Sequence, residues 1–141
     1  MVAYRPAVAD TEPRNEQLVR QFFDTLSTGD REALRTLIHP DGSWEVMGTT
    51  IPGAGLTSGR DAVIDVFLAP VRGMFEPGDP KVTIKRMVSS GDTVAAETEA
   101  IGMLSNGNRY HNRYAWMIDI KDDQVCHLKE YMDTAYIMSV V

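Results

Sequence analysis

Two polar side chains interrupt apolar strand faces in the second half of the chain; one is a carboxyl group that can exchange a proton, and the other is a carboxamide that can donate hydrogen bonds. Glu130 alternates with apolar residues within Val125–Asp133, and Asn112 alternates with aromatic and apolar residues within Tyr110–Ile120. Successive residues of a strand point to opposite faces, so both side chains are expected to point inward. Burial disfavours the ionised form of a carboxyl group. Glu130 is therefore a candidate for giving and taking a proton near neutral pH.

A second carboxyl group could share that site. Glu97 and Glu99 lie on one face of a neighbouring predicted strand, and alternation alone does not decide whether this face is internal. If it is, Glu99 and Glu130 form a pair in which one group stays protonated, which supplies a general acid and a general base. The alternative is structural: Arg86 lies on a face with Val82 and Ile84 and could reach Glu130 as a salt-bridge partner.

Other side chains on these faces could bind a substrate. Asn112 and the Tyr114 hydroxyl are candidate hydrogen-bond donors that orient substrate or stabilise a developing oxyanion. Glu97 and Arg86 are candidate polar contacts for the substrate. The aromatic residues could line an apolar pocket, although aromatics at such spacings also form ordinary cores; they are Phe22, Trp44, Phe67 and Trp116.

Helices in the first half must position these strands. Apolar residues recur at helical spacing from Asn15 until Gly29, and Asp30 is placed to cap a second short helix before Pro40. A short strand is predicted over Gly42–Gly48, followed by a loop over Thr49–Thr57. A third helix is predicted from Ser58, which forms a capping-box pattern with Asp61.

The second half of the chain predicts a β-meander. Its four apolar segments are joined by short polar connections that suit hairpins, so neighbouring strands are antiparallel. Helices come first and strands last, which is typical of the α+β class. The predicted strands cover about Val82–Ser89, Thr93–Leu104, Tyr110–Ile120 and Val125–Asp133. The two long strands are expected to bend the sheet strongly through their twist.

The bulk properties describe one acidic domain. The chain has 141 residues, which suits a single domain, and residues 1–13 are predicted to form a flexible arm ahead of the domain at 14–141. Asp and Glu number 20 against 14 Lys and Arg, for a net charge of −6, which disfavours binding to nucleic acid. No apolar run approaches the roughly 20 residues of a membrane span, and the start lacks a signal-peptide pattern. A cytoplasmic protein is expected.

Metal and thiol chemistry receive little support. His111 and His127 share the opposite face of adjacent predicted strands, but two histidines without a third ligand do not make a metal site. Cys126 is the single cysteine, which excludes an intramolecular disulfide, and a buried inert thiol is expected. The prediction is a protein without a metal or cofactor.

The order of elements resembles the nuclear transport factor 2-like superfamily, and more narrowly its SnoaL-like and ketosteroid isomerase-related branch. The segments that carry the resemblance are Asn15–Phe23, His39–Gly42, Ser58–Val63, Tyr110–Tyr114 and Glu130–Thr134. The resemblance implies a cone-shaped barrel in which a curved antiparallel sheet wraps around N-terminal helices. It also implies an apolar cavity for a small hydrophobic ligand, a homodimer formed through the outer sheet face, and acid–base groups on the inner face.

Two departures from known members bear on the activity. Steroid isomerases of this branch carry an aspartate base where this chain has Val46. Limonene-type epoxide hydrolases also resemble the chain, and they carry an Arg and an Asp two residues apart on one strand and a second Asp near the end. The matching positions here are Glu97, Glu99 and Glu130, so the arginine is missing, and Arg86 on the neighbouring strand is the candidate to replace it. The resemblance therefore implies a cofactor-independent acid–base enzyme of isomerase, cyclase, dehydratase or epoxide hydrolase type. The alternatives are a non-catalytic small-molecule-binding protein of the same fold and a dimeric accessory domain with a filled core.

Overall fold

The computed structural model describes the backbone of residues 6–141 and the side chains of residues 13–141. Its helices are α1 (Pro6–Thr28), α2 (Arg31–Leu37), α3 (Arg60–Ala62), which continues through a π-helical segment (Val63–Leu68) into α4 (Ala69–Gly73), and α5 (Thr134–Val140). Its strands are β1 (Ile38–Val46), β2 (Gly55–Ser58), β3 (Lys81–Ser90), β4 (Thr93–Met103), β5 (Arg109–Lys121) and β6 (Gln124–Met132).

Helix α1 starts earlier than its apolar spacing predicts. Residues 1–5 of the predicted arm lie outside the described residues, and the backbone is helical from Pro6 rather than from Asn15. At the other end the prediction is confirmed, because Gly29 adopts a left-handed φ of 73° that stops the helix. Asp30 then caps α2 by accepting a hydrogen bond from the Ala33 amide at 3.1 Å.

The third helix begins differently from its predicted capping box. Ser58 belongs to strand β2, and Gly59 precedes the helix without any side-chain cap bond. Strand β2 covers the last residues of the predicted loop and Ser58. It forms because Leu56 and its neighbours pair antiparallel with β1 around Glu45. This pairing of short segments is a tertiary contact that local alternation does not reveal.

The sheet has six strands in the order β2-β1-β6-β5-β4-β3. Strands β3 to β6 form the predicted antiparallel meander. Strand β1 lies parallel to β6, with Trp44 opposite Leu128 and Val46 opposite Glu130. The sheet is curved and unclosed, it wraps around the N-terminal helices, and the α+β cone predicted above is confirmed.

The inner face of the sheet packs on α1 and on the third helix. The even-numbered face of β5 points inward as predicted, since Trp116 and Ile118 are buried against Phe22 and Phe23 of α1. Rings of α1 contact both tryptophans, with Phe23 meeting Trp116 edge-on at a centroid distance of 5.1 Å. The helices therefore pack against one part of the inner face of the sheet. The remaining space, at the wide end of the cone, forms a cavity.

Candidate active site

A cavity of about 100 Å³ lies between the inner face of the sheet and the third helix. Aromatic and aliphatic side chains form most of its wall, and the aromatic ones include Trp44, Phe67, Phe75 and Trp116. The polar side chains that reach it are Arg72, Thr98, Tyr110, Tyr114 and Glu130. A mostly apolar cleft with a few converging polar groups is the usual form of a small-molecule site. Its volume suits a compound of about one ring.

Glu130 is the carboxyl group of this cavity. Glu130 is 8% exposed, and within the described part of the chain its side chain makes one hydrogen bond, which Trp44 Nε1 donates to Oε1 at 3.1 Å. Burial raises the pKa of Glu130 from 4.5 to about 7, and the hydrogen bond from Trp44 opposes this effect. The group therefore exchanges its proton readily at neutral pH, as an acid–base group requires.

Trp44 is held in place by other rings of the core. Its centroid lies 5.4 Å from that of Phe67 and 5.4 Å from that of Trp116, with the two indoles nearly perpendicular at 80°. Parallel pairing of β1 with β6 brings Trp44 and Glu130 to the same inner face. The carboxyl group is thus oriented by an indole that has little freedom to move.

A chain of hydrogen bonds forms the second polar feature of the cavity. Asn112 Nδ2 donates to the Tyr110 hydroxyl at 3.1 Å and to the Asp133 carbonyl at 3.3 Å, and the hydroxyl groups of Tyr110 and Tyr114 are hydrogen-bonded to each other. The amide of Arg113 donates to Asn112 Oδ1 at 2.9 Å, which fixes the orientation of the carboxamide. Asn112 is buried behind the tyrosines and does not line the cavity itself.

One bond of this chain can run in either direction. The Tyr110 oxygen accepts from Asn112, and either hydroxyl group can be the donor in the bond between Tyr110 and Tyr114. When Tyr110 is the donor, Tyr114 has its own hydrogen available for a partner in the cavity. Burial raises the pKa of both phenols, and for Tyr114 the nearby Tyr110 and Glu130 add to this effect. Both tyrosines therefore remain protonated hydrogen-bond donors.

The predicted pair of Glu99 with Glu130 does not form. On β4 the buried side chains are Val94, Ala96, Thr98 and Ala100, so Glu97 and Glu99 point to the outer face. Glu99 Oε2 instead lies 3.2 Å from His111 Nε2, an outer residue of β5. Both faces of β4 carry apolar residues, and the small alanines that pack inward give a weaker sequence signal than a run of large side chains.

Arg86 also lies outside, so the predicted contact with Glu130 is wrong. The pairing of β3 with β4 shifts register between Ile84, opposite Thr98, and Arg86, opposite Glu97. This bulge places one extra residue in β3 and reverses the faces beyond it. Arg86 and Glu97 consequently border an open groove on the outer face of the sheet, together with Met117 and Tyr131.

The aromatic candidates divide into two groups. Trp44, Phe67 and Trp116 line the cavity, whereas Phe22 is fully buried in the core behind Trp44, at a centroid distance of 6.0 Å. Phe67 reaches the cavity from the π-helical segment of the third helix. Such widened turns shift side chains around the helix axis and are often found at functional sites.

The histidines of the outer face do not meet. His111 contacts Glu99, whereas His127 Nδ1 lies 2.7 Å from Ser43 Oγ on the neighbouring strand β1. Within the part of the chain that the structure describes, no group of three or more His, Cys, Asp or Glu side chains is arranged to hold a metal ion. Cys126 is buried, and burial raises the pKa of its thiol, as expected for an unreactive cysteine.

Three polar residues of the cavity are not among the site residues predicted from the sequence, namely Arg72, Thr98 and Tyr110. Tyr110 is predicted on the inner face of β5 but not in the site, although a second tyrosine in the same alternation as Asn112 and Tyr114 is a usable signal. Thr98 is not predicted, because alternation alone does not decide which face of β4 points inward.

Comparison with known proteins supports the architecture seen here. The model of the SnoaL-like domain family matches residues 19–128. The chain belongs to the SnoaL-like family. No protein with a curated description matches it. None of the helices in the described part of this SnoaL-like protein is long and apolar enough to cross a membrane.

Solved structures share the SnoaL-like architecture at low sequence identity. A candidate SnoaL-like polyketide cyclase from Jannaschia sp. CCS1 is 18% identical, with a TM-score of 0.79, over 100% of this chain and 97% of that one. TerC, co-crystallised with polyporic acid, is 19% identical, with a TM-score of 0.76, over 90% and 97% of the two chains. An LEH-like epoxide hydrolase from M. tuberculosis is 16% identical, with a TM-score of 0.75, over 92% and 90%. At these identities the likeness establishes the fold alone.

Proposed function

We propose that this SnoaL-like protein is a cofactor-independent acid–base enzyme that acts on a small, largely apolar molecule. The observation that carries the proposal is Glu130, a carboxyl group with a pKa of about 7 in an apolar cavity that also holds the Tyr114 hydroxyl. A general base works best when its pKa lies near the working pH. Burial supplies that pKa here, without a second carboxyl group.

The geometry suits proton transfer next to a carbonyl group. The Glu130 carboxylate removes a proton from the carbon beside the carbonyl, and the electron pair of the broken C–H bond moves onto the carbonyl oxygen. The Tyr114 hydroxyl donates a hydrogen bond to that oxygen while the negative charge develops. Protonated Glu130 then returns the proton to a different carbon, which completes an isomerisation. Cyclisation, dehydration and hydrolysis use the same exchange of a proton.

Similar proteins support a small organic substrate. One is described as a candidate polyketide cyclase, one as epoxide hydrolase-like, and one was crystallised with polyporic acid. Val46, which occupies the position of the steroid isomerase aspartate, lies directly opposite Glu130 on the neighbouring strand. Glu130 is therefore close to the place where such a base is needed.

A non-catalytic binding protein is the second candidate. The arginine of the epoxide hydrolase pattern is replaced by Glu97 at its own position, and Arg86 lies on the outer face. Arg72 lines the cavity, but its guanidinium donates to the backbone carbonyls of Leu26 and Ser27. Among the residues that the structure describes, Glu130 is then the one acidic side chain that lines the cavity. A protein that holds a ligand through Trp44 and Tyr114 without transferring a proton would have the same walls.

Isomerisation of a β,γ-unsaturated cyclohexenone to its conjugated isomer separates these candidates, because ultraviolet absorbance follows the reaction directly. The protein is expected to accelerate the reaction, with kcat/KM rising as the pH passes about 7, where Glu130 loses its proton. The variant Glu130→Gln is expected to lose on the order of a hundredfold in rate or more.

Glu99→Gln is the matched control, since it makes the same exchange on the outer face and is expected to leave the rate unchanged. Binding of the ketone with no acceleration, or with equal rates in the wild type and Glu130→Gln, would favour the binding protein.

We also propose that two copies associate through the outer face of the sheet. That face exposes apolar side chains that a monomer would leave in water, namely Val88, Ile101, Met103, Met117 and Tyr131. The groove between Arg86 and Tyr131 lies among them.

A further inference from the structure

Thr98 is a buried polar residue that the proposed proton transfer does not use. It lies on the inner face of β4, is 2% exposed and lines the cavity. Its Oγ1 accepts a hydrogen bond from Trp116 Nε1 at 2.9 Å. An indole N–H can only donate, so this contact satisfies an acceptor site of the hydroxyl and leaves its hydrogen unused.

The Thr98 hydrogen has no acceptor within the part of the chain that the structure describes. A buried hydroxyl group normally finds a partner for its hydrogen, since a buried donor without an acceptor loses the hydrogen bond that it makes to water in the unfolded chain. The indole of Trp116 restricts how this hydroxyl can turn, because it occupies one side of the oxygen. The open direction for the hydrogen is the cavity that Thr98 lines.

Tyr114 stands directly across from Thr98. The two residues are register partners on β4 and β5, so their side chains leave the inner face of the sheet side by side. The Tyr114 hydroxyl lines the cavity too, and its hydrogen is available to a ligand when Tyr110 donates in the bond between the two tyrosines. Two neighbouring hydroxyl groups therefore face the same cavity, and apart from the bond between the two tyrosines the described residues give neither hydrogen an acceptor.

Glu130 lies on the other side of Tyr114. Glu130 is the register partner of Trp116, which is the next inward-pointing residue of β5 after Tyr114. Strand β6, which carries Glu130, is two strands away from β4, which carries Thr98. Strands lie about 4.8 Å apart, so the backbones at Thr98 and Glu130 are separated by roughly 10 Å across the sheet. A one-ring compound can span from the hydroxyl pair to the carboxyl group.

We propose that Thr98 and Tyr114 jointly bind one oxygen atom of the ligand, which makes the ligand class of this cavity a one-ring compound with a carbonyl-type acceptor. Thr98 is the specificity-determining residue for that oxygen. Trp116 positions the Thr98 hydroxyl by donating a hydrogen bond to it. The assignment rests on the proposed function only in taking the cavity as the ligand site. It does not require that Glu130 transfer a proton.

Cyclohexanone and methylenecyclohexane form a matched pair of probes, because they share one ring and differ in whether an oxygen is present. Two measurements are made: the dissociation constant, from quenching of the cavity tryptophans, and the C=O stretching frequency of bound cyclohexanone. Hydrogen bonds to the oxygen lower that frequency. The wild type is expected to prefer cyclohexanone and to lower its frequency below the value in an apolar solvent.

Thr98→Val removes the hydroxyl at nearly constant volume. It is expected to weaken cyclohexanone binding about five- to tenfold, to raise the C=O frequency, and to leave methylenecyclohexane binding unchanged. Thr98→Ser keeps the hydroxyl and is expected to keep both the frequency and the preference for cyclohexanone. Because Thr98→Val also removes the partner of Trp116 Nε1, the methylenecyclohexane measurement shows whether the cavity is still intact.

An unchanged C=O frequency in Thr98→Val would overturn the assignment, as would equal weakening of both probes in Thr98→Ser. Glu130→Gln separates this proposal from the proposed reaction. Loss of the isomerisation with the C=O frequency retained supports both. A wild-type protein that lowers the C=O frequency through Thr98 but does not accelerate the isomerisation would contradict the reaction alone.

Discussion

The burial of the Glu130 carboxyl group lowers the stability of the folded protein when this group is ionised. Its carboxyl group is buried with a single hydrogen bond from Trp44, so its charged form is poorly solvated and its pKa lies at about 7 instead of 4.5. The unfolded chain loses this proton near pH 4.5, whereas the folded protein keeps it until about pH 7. Unfolding therefore becomes easier as the pH rises between these values.

Glu130→Gln is expected to remove this dependence. The amide keeps an acceptor for Trp44 and cannot ionise, so the variant should gain about 3 kcal/mol in free energy of unfolding over the wild type between pH 4.5 and pH 8. Urea unfolding of both proteins at the two pH values measures the gain. A difference between the proteins that does not change with pH would show that the Glu130 carboxyl group is solvated in the folded state.

Helix α5 is the element that closes one end of the cavity. Ile137 lies on the cavity wall, and the helix is capped by Asp133, whose side chain accepts from the Tyr136 amide at 3.0 Å. The C-terminal end of α5 is held by side chains of another part of the chain. The side-chain amides of Asn106 and Asn108, in the turn between β4 and β5, both donate to the Val140 carbonyl at 2.9 Å.

Asn108→Ala is expected to loosen the last turn of α5. It removes one of the two bonds to Val140, and the Val141 amide, which donates to Ile137 at 3.1 Å, should exchange with solvent about fivefold faster. Hydrogen exchange followed by NMR measures this rate. Ser105→Ala is the control, because Ser105 bonds Met74 from the same turn and does not touch α5. Equal exchange rates in all three proteins would mean that the asparagines do not restrain the helix.

At the scale of the whole molecule, the two faces of the sheet differ in what they contact. The inner face encloses the cavity, and the outer face carries exposed apolar residues beside charged ones such as Arg86 and Glu97. Met117, 45% exposed, belongs to the outer apolar set. A second copy of the chain would cover this surface.

Met117→Glu is expected to convert a dimer into monomers, because it places a charge in the proposed interface. Sedimentation equilibrium of the wild type and the variant gives the two masses. Val66→Glu is the matched control. It makes the same kind of exchange at a helix residue that is 70% exposed and lies away from the sheet, and it should leave the mass unchanged. A monomeric wild type would contradict the proposed association.

Much of this architecture follows from short-range patterns. Strand alternation in β5 and β6 placed Asn112 and Glu130 inward, and the structure confirms both positions. Gly29 and Asp30 marked the boundary between the first two helices. These features depend on residues a few positions apart, where φ preferences, capping and the two-residue period of a strand act directly.

The composition of the site was decided by pairing between distant strands. A single bulge in β3 turned Arg86 outward, and the register of β4 placed Thr98 inside and Glu99 outside. The parallel contact of β1 with β6 brought Trp44 to Glu130 across 86 positions of sequence. The sequence by itself determined which residues could carry the chemistry. Only the tertiary structure decided which of them meet, because one residue of register moves a side chain from the cavity to the opposite face of the sheet.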